Sequence, residues 1–409
     1  PQVGGYAGQT AQVTTLNQIP VSSETRLGTG IGEFDRVLGG GLVTGSVVLI
    51  GGDPGIGKST ILLQTATYMA SKKSTALYVT GEESLSQVAL RAQRLDLATD
   101  QLKVMAETCV ERICEVLSHE KPVVAILDSI QTLYTETLQS APGGVSQIRE
   151  SAALLTRFAK NSGTALFLVG HVTKEGSLAG PRVLEHMVDV VLNFDGDRNH
   201  LFRLLRASKN RFGSTAEIGI YEMVSQGLKE IKNPSEILIT KKFEELSGNS
   251  VAVTLEGNRP MLIEIQALVS SAVYGTPQRS CTGFDSKRLN MLLAALEKRA
   301  GFQLGAKVVF LNITGGIKTG DPALDLAVVA SILSSNEDIA ISEHFCFAGE
   351  IGLSGEIRPI PQIEQRISEA EKLGYEKIFV SNLNKIPKKK YGIVIVEVSK
   401  IEDFHECLF

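Results

Sequence analysis

The sequence contains no tryptophan, and aromatic residues make up only 6% of its 409 positions. Such sparsity is common in α/β enzymes and by itself excludes no fold. Five cysteines (Cys109, Cys114, Cys281, Cys346, Cys407) lie scattered, with no C-x-x-C pair among them. An odd number of unclustered thiols argues against a disulfide framework and a zinc site within this chain, and suits a reducing cytoplasm. No apolar run reaches membrane length and no signal peptide opens the sequence, so no membrane span is expected. An excess of basic charge is missing too: the formal net charge is −4. A nucleic-acid site must therefore be a local patch and not a global field. Apolar residues are plentiful, at 43%, and over this length they predict two or three domains with real cores.

One stretch dominates what is present. Gly52-Asp53-Pro54-Gly55-Ile56-Gly57-Lys58-Ser59, followed by Thr60, matches G-x-x-x-x-G-K-[ST], the phosphate-binding P-loop. The apolar run Val47–Ile50 before it reads as a buried strand, and Thr60–Ala70 after it reads as a helix. The chemistry needs that order. A glycine-rich turn lets backbone N–H groups wrap a phosphate, and the helix N-terminus adds positive potential. Lys58 is expected to reach the β and γ phosphates of ATP, and Ser59 to hold Mg²⁺.

Residues 1–25 are polar and rich in Gly, Gln and Thr, and read as a lead-in arm. Arg26–Leu42 carries a short amphipathic helix ended by three glycines. From Val47 to Met223 short apolar strands recur, the earlier ones separated by helical stretches. That alternation predicts a mainly parallel sheet covered on both faces, within a domain spanning 26–232. Residues 233–250 contain Asn-Pro, mixed charge and Ser-Gly-Asn, and read as the connection between domains. A second domain, 251–409, has a different pattern. Val251–Ile265 and Lys307–Ile313 read as strands, and Ser286–Ala300 as a helix with Asp285 near its N-cap. Further helices are expected at Asp325–Leu333 and Ile363–Leu373. No second P-loop occurs, so this half does not repeat the first.

Hydrolysis needs acids beside the phosphate cradle. Asp128 ends the apolar run Val123–Leu127, the Walker B arrangement in which a buried strand delivers one carboxylate to the Mg²⁺ shell. Glu82 and Glu83 follow the strand Ala76–Val79, where ligands bind in open parallel sheets. Glu82, nearer the strand end, is expected to polarise the attacking water. His171 follows another strand, and two readings stand: a sensor of the γ-phosphate, or a hydrogen-bonded histidine lining the same cleft. Lys209-Asn210-Arg211-Phe212-Gly213 follows the strand Leu201–Ser208 in the densest basic stretch of the first half. It is either a pair of finger residues, Lys209 and Arg211, stabilising transition-state charge, or a solvated basic hairpin.

Two sets of residues carry a family resemblance. Thr29–Gly41 with Gly52–Thr60 resembles the RecA-like ATPases. Tyr78-Val79-Thr80-Gly81-Glu82-Glu83-Ser84 and the pentapeptide Lys209–Gly213 narrow this to the bacterial RadA (Sms) family, from about Arg26 to Val396. The resemblance implies an α/β RecA-like P-loop core that assembles as a homo-oligomer, a hexameric ring. It implies movement on single-stranded DNA and branch migration of recombination intermediates in repair, working with RecA. It also implies that Lys209 and Arg211 act on a neighbouring subunit's ATP, and that Glu82 activates water. Loops at about Thr135–Gln147 and Thr173–His186 would face the ring channel, with Lys174 and Arg182 as candidate DNA phosphate contacts. Family members typically carry an N-terminal four-cysteine zinc finger; none occurs here, so either the sequence starts beyond it or the protein lacks it, and the start at Pro1 favours the former.

Residues from about Val251 to Val396 resemble the Lon protease domain, an α+β fold of the ribosomal protein S5 domain 2-like type. The similarity lies in Lys318–Ala323 and Gly349–Ile360. A Lon-type enzyme pairs a serine nucleophile with a lysine base. Ala323 stands at the serine position and Glu364 at the lysine position, so proteolysis is rejected and a scaffold is expected. Lys287, Arg288, Lys298, Arg299, Lys318 and Lys388–Lys390 are candidates for a basic DNA-holding face. The alternative to a DNA motor is a nucleotide-switched, ring-forming scaffold without motor activity.

Overall fold

The computed structural model describes residues 25–72, 74–98, 100–170, 183–196, 202–239, 246–272, 277–314 and 319–409. His171, Lys174, Arg182 and Lys318 lie outside the described residues, as does the arm 1–25 apart from Thr25. The chain divides into two compact units after Lys232.

In the first unit, the short strands Arg26–Leu27 (β1) and Leu42–Val43 (β2) pair across the helix Gly32–Leu38 (α1). The main sheet follows: Val47–Gly52 (β3), Ala76–Thr80 (β4), Lys103–Ala106 (β5), Val124–Asp128 (β6), Ala165–Val169 (β7), Val190–Asp195 (β8), Phe202–Asn210 (β9), Ile218–Val224 (β10) and Gly227–Glu230 (β11). Its order is β11-β10-β9-β8-β3-β7-β6-β4-β5. The strands from β8 to β5 run parallel and β9 to β11 add antiparallel. The helices are Lys58–Ser71 (α2), Leu85–Arg94 (α3), Val110–Glu120 (α4), Val145–Ser162 (α5) and Val183–Met187 (α6).

Strand periodicity explains how the sheet is covered on both faces. Val48 and Ile50 of β3, with Val124 and Ile126 of β6, face a core built with Phe34, Ile61, Leu62 and Val88 of α1, α2 and α3. The alternate residues Val47, Leu49, Ala125 and Leu127 face a core built with Val110, Ile113, Ile148 and Leu155 of α4 and α5. Residues two apart share a face, so continuous apolar runs feed both cores.

β9 extends to Asn210, so the basic pentapeptide begins inside a strand and not after one. The second correction concerns the expected loop Thr135–Gln147. Its last three residues are the first turn of α5, and Gln147 is buried. Its side chain accepts from Thr135 N (2.9 Å) and donates to the carbonyls of Thr135, Leu138 and Ser140.

The second unit is an α+β layer. Seven strands lie in the order Arg279–Thr282, Lys307–Ile313, Arg259–Ser271, Asn249–Glu256, Phe345–Ala348, Lys377–Ser381 and Val394–Val398. The single strand expected over Val251–Ile265 is a hairpin: Glu256 pairs with Arg259 across Gly257-Asn258. Gly257 has a φ of 62°, as a tight two-residue turn requires. The connection 233–250 contains the helix Ser235–Leu238 and the start of the strand Asn249–Glu256. The helix Asp325–Glu337 is buried at every residue from Asp325 to Ser334, and forms the core of this unit. Among the described residues no helix is long and apolar enough to cross a membrane.

Candidate active site

The P-loop joins β3 to α2, and its backbone allows no side chain at three points. Gly52, Gly55 and Gly57 have φ of 145°, 79° and 122°, conformations open to glycine. A Cβ on Gly52 would lie 2.9 Å from Phe194, and one on Gly57 would lie 2.8 Å from Leu228. Asp53, Pro54 and Gly55 form the exposed rim and Ile56 anchors the loop in the core, while Ser59 and Thr60 are half-buried. Lys58 is buried, and its Nζ donates to the carbonyls of Gly52 (2.6 Å) and Asp53 (3.0 Å). Burial pulls its pKa below the ordinary lysine value, while Asp128, Asp53 and Glu82 push it back up. Those three acids therefore share one field with the lysine.

Asp128 is the last residue of β6, paired with Thr80 at the end of β4. Glu82 lies two residues beyond Thr80, and it accepts a hydrogen bond from Ser129 Oγ, next to Asp128. The adjacent Glu83 is engaged elsewhere. It pairs with Arg91 of α3, and its N–H donates to Thr80 Oγ1 at 2.9 Å. α3 begins in a capping box, Ser84 with Gln87, which fixes the chain just past the two glutamates. The turn between leaves no room for a side chain at Gly81, where a Cβ would lie 2.1 Å from Thr132 Oγ1.

Tyr78 escaped the sequence reading. Its hydroxyl donates to Asp128 Oδ2 at 2.6 Å. Burial, then the negative charge of Asp128, drives the phenol pKa far above its usual value, so it stays a donor. The signal was a lone tyrosine in the apolar strand Ala-Leu-Tyr-Val-Thr, since a buried phenol needs a partner.

The donor set fits a magnesium nucleotide: a side-chain-free turn at a helix N-terminus, a buried ammonium bonded only to carbonyls it can exchange, and Ser59 and Asp128 to hold Mg²⁺.

Lys209 and Arg211 lie elsewhere. Arg211 N donates to Asp189 O, and Asp189 N donates to Val47 O. Val47 begins the strand that ends in the P-loop. The two basic residues are thus at the opposite end of the parallel strands, roughly 16 Å of strand away at about 3.3 Å per residue. Lys209 Nζ caps α6, donating to the carbonyls of Glu185 (2.7 Å), His186 (3.3 Å) and Val188 (2.7 Å). Burial and the neighbouring Arg211 lower its pKa. Arg211 pairs with Asp189 at 3.2 Å. The middle of the pentapeptide is structural: Asn210 Nδ2 donates to Val37 O, and Phe212 O accepts from Arg26.

In the second unit, Ala323 is fully buried in the short 3-10 helix Pro322–Leu324. Glu364 is exposed and pairs with Lys389 at 2.5 Å. Neither a nucleophile nor a free base stands at the positions of a Lon-type dyad. Two candidates for a basic face are also spoken for. Lys389 serves Glu364, and Arg288 forms a two-point pair with the buried Asp325, with Glu350 nearby. Lys287, Lys298 and Arg299 belong to the helix Ser286–Ala300.

The chain is similar to several known proteins. Residues 27–108 match the KaiC ATPase family, and residues 266–384 match the family described as subunit ChlI of Mg-chelatase. The DNA repair protein RadA of Pseudomonas aeruginosa is 53% identical over 406 residues, covering 99% of this chain and 89% of the relative. RadA of Bacillus subtilis is 49% identical, covering 97% and 87%, and RadA of Escherichia coli 48%, covering 98% and 88%. A solved KaiC-like protein of Pyrococcus horikoshii covers 51% of the chain at 20% identity with a TM-score of 0.43. With a RecA-like P-loop unit, a Lon-like unit without its dyad and 48–53% identity to these relatives over nearly the whole chain, the chain belongs to the RadA family of DNA repair proteins.

Proposed function

We propose that this chain is a DNA-dependent ATPase whose site is completed by a second copy of itself in a hexameric ring. Hydrolysis would drive movement along single-stranded DNA and branch migration of recombination intermediates, together with RecA. The carrying observation is the placement of Lys209 and Arg211 at the end of the strands opposite the P-loop. A side chain there cannot span the sheet to its own phosphates, but in a ring it can serve the next copy.

In this reading the glycine turn orients the triphosphate, and Lys58 exchanges its two carbonyl partners for β and γ phosphate oxygens. Mg²⁺, held by Ser59 and Asp128, supplies charge neutralisation. Glu82 orients the attacking water, with Ser129 fixing its carboxylate and Arg91 keeping Glu83 aside. Lys209 and Arg211 from the neighbour stabilise charge that grows on the phosphate oxygens in the transition state, the step at which such cations matter most.

Mixing two impaired proteins tests the shared site. Lys58→Ala lacks the phosphate cation and Arg211→Ala lacks the finger. Combined, they should recover a measurable fraction of phosphate release, since some junctions unite an intact P-loop with an intact finger. No recovery at any mixing ratio would refute the shared site. Single-stranded DNA should accelerate hydrolysis by the parent protein, whereas indifference to DNA would favour a nucleotide-switched scaffold.

A further inference from the structure

Asp189 organises the end of the first unit's sheet opposite the P-loop. It precedes β8, is 2% exposed, and accepts three hydrogen bonds. Lys160 Nζ (2.7 Å) and Val47 N (3.0 Å) donate to Oδ2, and Arg211 Nη1 (3.2 Å) donates to Oδ1. These donors are not equivalent. The Val47 N–H is fixed by the sheet. Lys160 sits in the last turn of α5, with its side chain 34% exposed. Arg211 makes the longest bond, through one nitrogen, and its side chain is 54% exposed. It borders an open cavity of about 360 Å³, lined also by Arg149, Thr156, Lys160 and His186.

A buried carboxylate stripped of its cation is costly. Were Arg211 the sole counter-charge, its departure would strand Asp189. With Lys160 and the Val47 N–H in place, Arg211 can leave while Asp189 stays paired. We infer that Asp189 is a positioning residue that stores Arg211 between encounters with a neighbour's nucleotide, and that Lys160 is the counter-charge that permits release. The inference rests on the reading that Arg211 acts across a subunit boundary. A triphosphate outcompetes the carboxylate because it offers Arg211 more anionic oxygens in bidentate geometry, while Asp189 is already neutralised. Storage carries a tax: the rate falls with the fraction of time that Arg211 is held.

The test is steady-state ATP hydrolysis by the full chain, with thermal midpoints read on the same samples. Lys160→Gln leaves Arg211 as the only cation on Asp189 and should lower kcat about fivefold, since the finger is released less often. Lys160→Arg should restore the rate. In an Arg211→Ala background, Lys160→Gln should change the residual rate no further. Asp189→Asn should raise kcat about threefold by removing the storage tax. An unaltered kcat in Lys160→Gln, an undiminished effect of that change in the Arg211→Ala background, or an unaltered kcat in Asp189→Asn overturns the storage role, and the shared site survives each of these. If Arg211→Ala itself hydrolyses at the parent rate, the shared-site reading fails instead.

Discussion

Two buried cations, Lys58 in the first unit and Arg366 in the second, are held differently. Lys58 in the first unit bonds to the carbonyls of Gly52 and Asp53, and three acids surround it without an ion pair at contact distance being formed. Arg366 in the second unit is locked: its Nη1 pairs with Asp321 and donates to Val253 O, both at 2.7 Å, and its Nε donates to Pro361 O. Asp321 is fixed in turn by Thr254 and the Leu255 N–H, and it caps Ala323. A cation that must greet a ligand is left with partners it can trade. A cation that holds a fold has each bond committed.

Substitutions should separate the two cases. Lys58→Ala is expected to lower phosphate release at least about a thousandfold while urea unfolding hardly changes, because the loss falls on transition-state charge. Arg366→Met should do the reverse, costing about 3–5 kcal/mol in urea unfolding of the second unit, since Asp321 is left buried and unpaired. An Arg366→Met protein as stable as the parent would erase the contrast. Tyr78→Phe sharpens it within the first unit. Losing the bond to Asp128 should raise the Mg²⁺ concentration for half-maximal hydrolysis about tenfold, the usual scale for a group that orients a metal ligand. Ala323→Ser should have the smallest effect, about 1 kcal/mol of stability for a hydroxyl placed in a closed site. Casein should remain undegraded, because Glu364 still offers no amine.

What was legible in the sequence was local. The P-loop, the Asp128 strand end and the glutamate pair are each written in one short segment, and each lies on the elements expected for it. The parallel half of the sheet was legible because its buried strands are unbroken apolar runs. The antiparallel half was less so: Lys209 and Asn210 are polar, yet they pair with Val191 and Val190, and that register is set by the sheet rather than by their side chains. Tyr78 and Asp189 were missed for the same reason. Their partners lie 50 residues away for Tyr78 and 142 residues away for the Asp189–Val47 bond. Asn258 marked a hairpin that a count of apolar residues over Val251–Ile265 smoothed away.

The Gln147 clamp has a mechanical corollary. At one end of α5 that amide grips the strand exit leading away from Asp128; at the other end Lys160 grips the carboxylate beside Arg211. An α-helix of 18 residues is a stiff rod about 27 Å long. A shift of the clamped loop is therefore carried along the rod axis to the end where Lys160 holds Asp189, so this one shaft joins the strand exit after Asp128 to the carboxylate beside Arg211.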